Sequence, residues 1–159
     1  MRIALAMIVS FAAFVSTTFA AEPFAGTWRF STEKSRCTDN PNLRPETLII
    51  EPDGNGLRFT TKTTDREGRP QERVQTLALD GAKREGQSPG RNPRGTPFDM
   101  LSSRRAGDRT IDLVYYKGEK EVGSGRYEMS AGDKTMLFNR KTITEAGGKH
   151  EDNFVYERQ

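Results

Sequence analysis

The side chains that most often perform catalysis are scarce in this chain of 159 residues. The single histidine, His150, follows Gly147-Gly148-Lys149 at a predicted hairpin turn, where a solvated imidazole needs no further function. The single cysteine, Cys37, permits no internal disulfide. We interpret it as a semi-buried small residue, with a reactive or intermolecular thiol as the alternative. Without clustered ligand spacing, these residues predict neither a metal site nor a cofactor.

Carboxylates are plentiful, for example in the pairs Glu119 with Glu121 and Glu151 with Asp152. General acid–base catalysis needs such groups to converge in space, and neither pair belongs to a recognisable catalytic motif. Most carboxylates at this spacing lie on solvated strand faces. We therefore predict that the protein is not an enzyme, and we keep a carboxylate-dependent hydrolase or isomerase only as a third alternative.

Basic side chains are concentrated between residues 83 and 109. The segment from Lys83 to Thr96 is also rich in glycine and proline, so it predicts a long loop. The positive charge suits an anionic envelope surface or ligand, or it merely keeps the loop solvated. The basic residues are Lys83, Arg84, Arg91, Arg94, Arg104, Arg105 and Arg109, opposed by Glu85, Asp99 and Asp108. With 25 basic and 22 acidic side chains and no nucleic-acid-binding motif, nucleic acid is not an expected partner.

Five aromatic residues occupy alternate positions in segments that read as half-buried strands. They are Phe59, Tyr115, Tyr127, Phe138 and Tyr156. One interpretation is that these rings simply form the core of the domain. The other is that they line a cavity for a small hydrophobic or amphipathic ligand, oriented by tyrosine hydroxyls and an inward arginine such as Arg126 or Arg140.

The elements that must position these rings are predicted from a period of two in polarity. Leu57, Phe59 and Thr61 share one face of a strand, and similar sets are Ile111, Leu113 and Tyr115, Tyr127 with Met129, Met136 with Phe138, and Phe154 with Tyr156. Turn residues that tolerate a positive φ separate the segments. These turns fall at 52–56, 65–68, 80–81, 106–108, 117–118, 131–133 and 146–148.

No window sustains a helical period, and only a short helical turn is expected, around Phe24 or near Pro41–Pro45. The pattern predicts an all-β fold, an antiparallel up-and-down meander of about 8–10 strands. Closure into a barrel is favoured because it removes exposed strand edges, and a β-sandwich is the alternative architecture.

The first twenty residues have the pattern of a cleavable secretory signal peptide. Arg2 precedes an apolar segment from Ile3 to Val15, and the small residues Thr18 and Ala20 suit cleavage after Ala20. The expected organisation is a signal peptide over 1–20 and one domain over 21–159, with no membrane-spanning segment after cleavage. The predicted location is secreted or periplasmic. The whole chain is only 33% hydrophobic, so the mature domain has little apolar material for its core.

The segment Gly26-Thr27-Trp28 resembles the opening of lipocalins and of intracellular fatty-acid-binding proteins, which are calycin-type barrels. The resemblance implies that Trp28 closes one end of the barrel and that Arg158 packs across its ring, worth about 0.5–2 kcal/mol as a cation–π contact. Further segments are similar to a family of small secreted bacterial lipocalin-like proteins. They are Glu33-Lys34-Ser35, 51–57, 130–136 and 155–159.

Two departures limit what this resemblance implies. No Thr-Asp-Tyr-like loop motif of lipocalins occurs near Tyr115-Tyr116. The Arg-x-Tyr pair with which fatty-acid-binding proteins hold a carboxylate is also missing, because Phe154 precedes Tyr156 by two positions. A fatty acid is therefore not the favoured ligand.

The sequence leads to an exported, non-enzymatic, lipocalin-like protein that binds a small hydrophobic or amphipathic ligand. The alternative is an envelope interaction protein, whose barrel is filled by side chains and which acts through the basic region 83–109.

Overall fold

The structure is a computed structural model that describes residues 22–37, 44–86, 97–144 and 146–159. These ranges form one antiparallel sheet of eleven strands, with no helix among them, so the all-β prediction is confirmed. The strands are β1 (Gly26–Phe30), β2 (Arg36–Cys37), β3 (Thr47–Asp53), β4 (Gly56–Thr64), β5 (Pro70–Leu77), β6 (Asp80–Glu85), β7 (Met100–Gly107), β8 (Thr110–Lys117), β9 (Lys120–Met129), β10 (Thr135–Ile143) and β11 (Lys149–Arg158).

The strand order is that of an up-and-down meander. It runs β5-β4-β3-β1-β11-β10-β9-β8-β7-β6, with the two-residue β2 paired to β11 beside this path. The first strand lies between β3 and β11, so the sheet brings the two ends of the described chain together. Ten strands on the path agree with the predicted meander. In the described residues, β5 and β6 are not hydrogen-bonded to each other as strands and form the two edges.

The sheet curls until its two walls face each other. Phe59 on β4 and Tyr127 on β9 have ring centroids 5.3 Å apart, although four strands separate β4 from β9 in the sheet. A flat sheet with strands about 4.8 Å apart would hold these rings more than 20 Å apart. The meander is therefore a barrel with a common interior, as predicted, and not a β-sandwich.

Hairpin turns fall where the turn residues predict them, with one exception. Gly54 joins β3 to β4 with φ 59°, and Asp133 joins β9 to β10 with φ 52°. The exception is Asp80-Gly81, which begins β6, because the connection from β5 lies earlier, at Ala78-Leu79. Instead of a helix, Phe24 lies in a hydrogen-bonded turn. The segment 41–43 lies outside the described residues.

The predicted loop from Lys83 is shorter than expected. Lys83, Arg84 and Glu85 belong to β6 and pair with Ser102, Leu101 and Met100 of β7. Charged residues favour strands only weakly, but pairing with a neighbour overrides that preference. Residues 87–96 lie outside the described part of the chain, as does the predicted signal peptide. The part of the chain that the structure describes has no helix long and apolar enough to cross a bilayer.

The core consists of side chains that point inward from alternate positions along each strand. Every set predicted from the period of two contributes to it, and Phe154 and Tyr127 pack against it while remaining partly exposed. Its largest fully buried members are Trp28, Phe24, Ile50, Leu57, Leu77, Ile111 and Met136. Two of these, Trp28 and Phe24, come from the N-terminal segment, so this segment closes one end of the interior.

Arg158 spans the closed end from the last strand. Its guanidinium lies 4.2 Å from the centroid of the fully buried Trp28 ring. It also donates hydrogen bonds to the carbonyls of Asp133, Ala25 and Pro23 at 2.6, 2.7 and 2.6 Å. Gly26, with φ 140°, leaves room for it, since a Cβ there would lie 2.6 Å from Nη1 of Arg158. Arg158 on the last strand thus links β11 to the segment that precedes β1.

The short strand β2 places Cys37 directly opposite Asp152 of β11. Burial and, second, the negative charge of Asp152 raise the pKa of the Cys37 thiol to about 11. A thiol with such a pKa is protonated at neutral pH and is a poor nucleophile. This agrees with the interpretation of Cys37 as a semi-buried structural residue.

We expect Arg158→Ala to lower the free energy of unfolding by about 2–4 kcal/mol, because it removes a cation–π contact and leaves three carbonyls without their donor. Urea unfolding followed by circular dichroism measures this loss. Arg29→Ala is the matched control, since Arg29 lies on β1 with an exposed side chain, and its effect should stay within about 0.5 kcal/mol. Equal effects of both substitutions would contradict the role of Arg158.

We expect Cys37 to react slowly with iodoacetamide at pH 9. At that pH a thiol of pKa about 11 is about 1% ionised, whereas the unfolded thiol is about half ionised, so folding should slow alkylation about 50-fold. Mass spectrometry of timed samples with and without urea measures both rates. Asp152→Asn should speed the folded reaction by removing the adjacent negative charge, and equal rates for the folded and unfolded chain would refute the assignment.

Candidate functional site in the barrel interior

A row of aromatic rings crosses the interior from β4 to β1. Phe59 contacts Tyr127, which stacks on Phe138 with centroids 4.1 Å apart and planes at 13°. Phe138 stacks in turn on Phe154 at 5.9 Å, and Phe154 meets Phe30 at 5.8 Å. The rings come from five strands and make a nearly continuous apolar surface across the barrel.

The five aromatic residues singled out from the sequence all face inward. Phe59, Tyr115, Phe138 and Tyr156 are buried, and Tyr127 is partly exposed. Phe59, Tyr127 and Phe138 form one stack, whereas Tyr115 contacts Phe98 at 4.8 Å and Tyr156 contacts Phe30 at 5.4 Å. The structure therefore brings three of them into one group and leaves two at its margins.

Three further aromatic residues belong to the same interior. Phe154 shares the inward face of β11 with Tyr156, so the period of two was sufficient to select it. Phe30 lies on the inward face of β1 by the same rule. Phe98 precedes β7, outside any strand, and no periodicity in the sequence marks it.

Two of these side chains pack directly against the backbone of Gly125. A Cβ on this residue would lie 2.7 Å from Cε2 of Phe138 and 2.9 Å from the hydroxyl of Tyr115. Glycine in the middle of a strand often marks such a close approach. The run Gly123-Ser124-Gly125 within β9 is therefore an indication of this close approach in the sequence, which the spacing of the aromatic residues does not give.

Three tyrosine hydroxyls face the interior, and they differ in their partners. Tyr156 donates a 2.6 Å hydrogen bond to Oε1 of Glu46. Neither the Tyr115 nor the Tyr127 hydroxyl has a hydrogen-bond partner among residues 22–37, 44–86, 97–144 and 146–159. Burial raises the pKa of all three phenols, so each keeps its proton at physiological pH. Tyr115 and Tyr127 thus offer two unused hydrogen-bond donors.

Arg140 is a cation of this inner face, as is Arg73 of β5, which is paired with Thr61. Arg140 lies opposite Asp152 in the pairing of β10 with β11, and its Nε and Nη2 donate to Oδ2 of Asp152 at 3.2 and 2.6 Å. The side chains are only 23% and 11% exposed, which places this ion pair among the well-shielded ones of the chain. The guanidinium also lies 5.1 Å from the ring centroid of Phe154.

The other arginine proposed from the sequence, Arg126, points outward, so that expectation is wrong. Residues 125 and 127 of β9 occupy the inner face, and the pleat turns the residue between them to the other side. There Arg126 pairs with Asp112 at 2.7 Å. An open depression of about 650 Å³ lies on this outer face, lined by charged side chains including Arg104, Asp112 and Glu128.

Among the possible catalytic residues, Asp152 lies opposite Cys37, whereas the carboxylate pairs considered from the sequence do not converge. His150 is the second residue of β11, opposite Thr142, and not a turn residue as expected from the nearby glycines. Glu151 and Asp152 alternate between the outer and inner faces, and Glu119 forms an ion pair with Lys83 at the surface. Within the described ranges, no three histidine, cysteine, aspartate or glutamate side chains form a group that could hold a metal ion.

The comparisons with known proteins give a fold and no family assignment. No protein-family profile matches the chain, and no curated protein sequence matches it. Among solved structures, the REP1-NXSQ fatty acid transporter has a TM-score of 0.58 and 16% identity, over 87% of this chain and 98% of that one. These values show a shared fold, because identity at this level carries no functional assignment.

Two further barrels give the same result. The zebrafish ileal bile acid-binding protein in complex with cholic acid has a TM-score of 0.55 and 10% identity, over 86% of this chain and 99% of that one. Fatty-acid-binding protein 1 of Echinococcus granulosus has a TM-score of 0.55 and 16% identity, over 86% of this chain and 98% of that one. The chain therefore has the calycin-type β-barrel fold that its opening Gly26-Thr27-Trp28 segment resembles.

Proposed function

We propose that the chain is an exported, non-enzymatic barrel protein that binds one small apolar or amphipathic molecule against its aromatic inner face. The observation that carries the proposal is the aromatic row from Phe59 to Phe30 together with the unused hydroxyls of Tyr115 and Tyr127. Neither hydroxyl is among the buried polar atoms without a partner in the described residues, so both are accessible for a hydrogen bond to a small molecule in the interior.

The similar structures add support at the level of the fold. Their names describe a fatty acid transporter, a bile acid-binding protein and a fatty-acid-binding protein. Each covers most of the described barrel, so the same arrangement of strands accommodates small amphipathic molecules elsewhere. Two inner rings of this chain, Tyr127 and Phe154, stay partly exposed although they face inward, which suits contact with such a molecule.

A non-enzymatic role is favoured by the state of the polar groups. The raised pKa of Cys37 keeps its thiol protonated, and Asp152 is engaged by Arg140. Neither group is therefore poised to act as a nucleophile or a general base at neutral pH.

The alternative, an interaction surface on the basic region 83–109, has less support. In the described part of this region, five basic side chains each lie within 3.3 Å of a carboxylate, which leaves little unbalanced charge there for an anionic envelope component. The pairs are Lys83 with Glu119, Arg84 with Asp80, Arg104 with Asp112, Arg105 with Glu22, and Arg109 with Asp133. Arg91 and Arg94 lie outside the described residues.

Binding in the interior is tested with the uncharged dye N-phenyl-naphthylamine, whose emission rises in apolar surroundings. We expect saturable binding at a one-to-one ratio, measured by fluorescence titration and native mass spectrometry. Gly125→Val should weaken it at least tenfold, because its Cβ occupies the space of the Phe138 ring and the Tyr115 hydroxyl. Ser124→Val is the matched control, since residue 124 points outward on the same strand.

Circular dichroism of both valine variants separates loss of binding from loss of folding. Phe138→Leu provides a second test, because it removes the stacked ring without adding volume and should also weaken binding of the dye. Absence of dye binding by the unsubstituted chain would contradict the proposal. Equal affinities of Gly125→Val, Phe138→Leu and the control Ser124→Val for the dye would also contradict it.

Export is tested by expressing the full chain in a host with a secretory pathway. We expect the protein in the exported fraction with an intact mass corresponding to a start at Ala21, because Thr18 and Ala20 suit the signal peptidase. Replacement of Ile8 by lysine should retain the uncleaved chain inside the cell, since a charge interrupts the apolar segment. Recovery of the full-length mass from the exported fraction would contradict cleavage.

A further inference from the structure

We propose that the interior selects uncharged ligands that carry a hydrogen-bond acceptor, such as ketones, esters or amides, and disfavours carboxylates and sulfonates. This inference rests on the proposed function, since it specifies the chemistry of the same inner face. It goes against the simplest expectation from an inward arginine, which is an anionic ligand.

The positive charge of Arg140 is already balanced by a carboxylate. Two of its nitrogens donate to the same oxygen of Asp152, and that carboxylate is among the few buried charged groups of the chain. A ligand carboxylate that approached Arg140 would also approach Asp152. At such distances and in a shielded site, the repulsion between the two anions offsets much of the attraction to the cation.

Another carboxylate lies beside the inner tyrosines, because Glu46 accepts a 2.6 Å hydrogen bond from the hydroxyl of Tyr156. Burial is the main cause of the raised pKa of Tyr156 and Tyr127, and the negative charge of Glu46 adds to it. Arg73, on the inner face of β5, acts on Tyr127 in the opposite sense. The carboxylates of Glu46 and Asp152 thus offset the two arginines, which leaves little net positive charge for an anionic ligand.

The groups of the site that have no hydrogen-bond partner among the described residues, the Tyr115 and Tyr127 hydroxyls, are neutral donors. The Tyr115 hydroxyl lies above Gly125, and Gly125 is paired with Arg140 across β9 and β10. The Tyr127 ring stacks on Phe138, whose edge covers the same glycine. Two protonated phenols near one apolar row can donate to a carbonyl oxygen, and this neutral hydrogen bonding needs no compensating charge.

The central experiment compares two naphthalene dyes, the uncharged ketone PRODAN and the sulfonate ANS, by fluorescence titration of the full protein. We expect PRODAN to bind at least tenfold more tightly than ANS. Asp152→Asn keeps the shape of the side chain and frees the charge of Arg140, so it should raise the affinity for ANS about tenfold and change that for PRODAN less than about twofold. Glu151→Gln, on the outer face of the same strand, should change neither affinity.

The tyrosine donors are tested separately, so the result does not depend on one variant. PRODAN emission moves to longer wavelength when its carbonyl accepts a hydrogen bond. The double variant Tyr115→Phe with Tyr127→Phe should therefore bind PRODAN more weakly and shift its emission to shorter wavelength. Tyr116→Phe is the matched control, because the ring of Tyr116 contacts Lys83 on the outer face.

The outcomes distinguish this inference from the function on which it rests. If N-phenyl-naphthylamine binds and ANS binds as tightly as PRODAN, the neutral selectivity is wrong and the ligand-binding barrel stands. If Asp152→Asn leaves the affinity for ANS unchanged while the protein remains folded, charge compensation by Asp152 is refuted. If none of the three dyes binds, both proposals fail.

Discussion

The pleat of the strand is the constraint on which the rest of this molecule depends. Each strand sends only alternate side chains inward, so about half of every strand is available to the interior. Because only 33% of the chain is hydrophobic, most of its apolar side chains have to lie at inward positions to form a core. The sheet meets this constraint by curling until strands with four others between them come into contact, as β4 and β9 do through Phe59 and Tyr127. A large shared core then forms from few apolar residues.

The same constraint divides the interior into two chemically different parts. Around Trp28 the inward side chains are large and fully buried. Arg158 closes that end by donating hydrogen bonds to the carbonyl oxygens of Ala25 and Pro23. Asp152 lies six residues before Arg158 on the same strand, which is about 20 Å along β11. There the inward groups become polar, with Arg140, Asp152 and the Tyr115 hydroxyl.

Much of the fold was predictable because it rests on local rules. The alternation placed Leu57, Ile111 and Met136 on the inner face, and turn residues located most of the hairpins. Asp80-Gly81 was misread because a positive φ occurs inside a strand as well as in a turn. The charged run at Lys83 was read as a loop because its pairing with β7 is a long-range contact that composition does not show. Failures of this kind concern tertiary pairing, which no local pattern contains.

The candidate site was less predictable for the same physical reason. The pattern of two identified the aromatic rings, but it did not determine which rings stack, that Gly125 receives Tyr115, or that Arg140 and not Arg126 faces inward. An inward arginine considered alone ordinarily predicts an anionic ligand, whereas the proposed preference for uncharged ligands follows from the partner of Arg140. That partner is Asp152, twelve residues away in sequence and directly opposite in the sheet. The charge on this part of the inner face is the sum over that pair, so its electrostatics are set by strand register more than by the identity of any single residue.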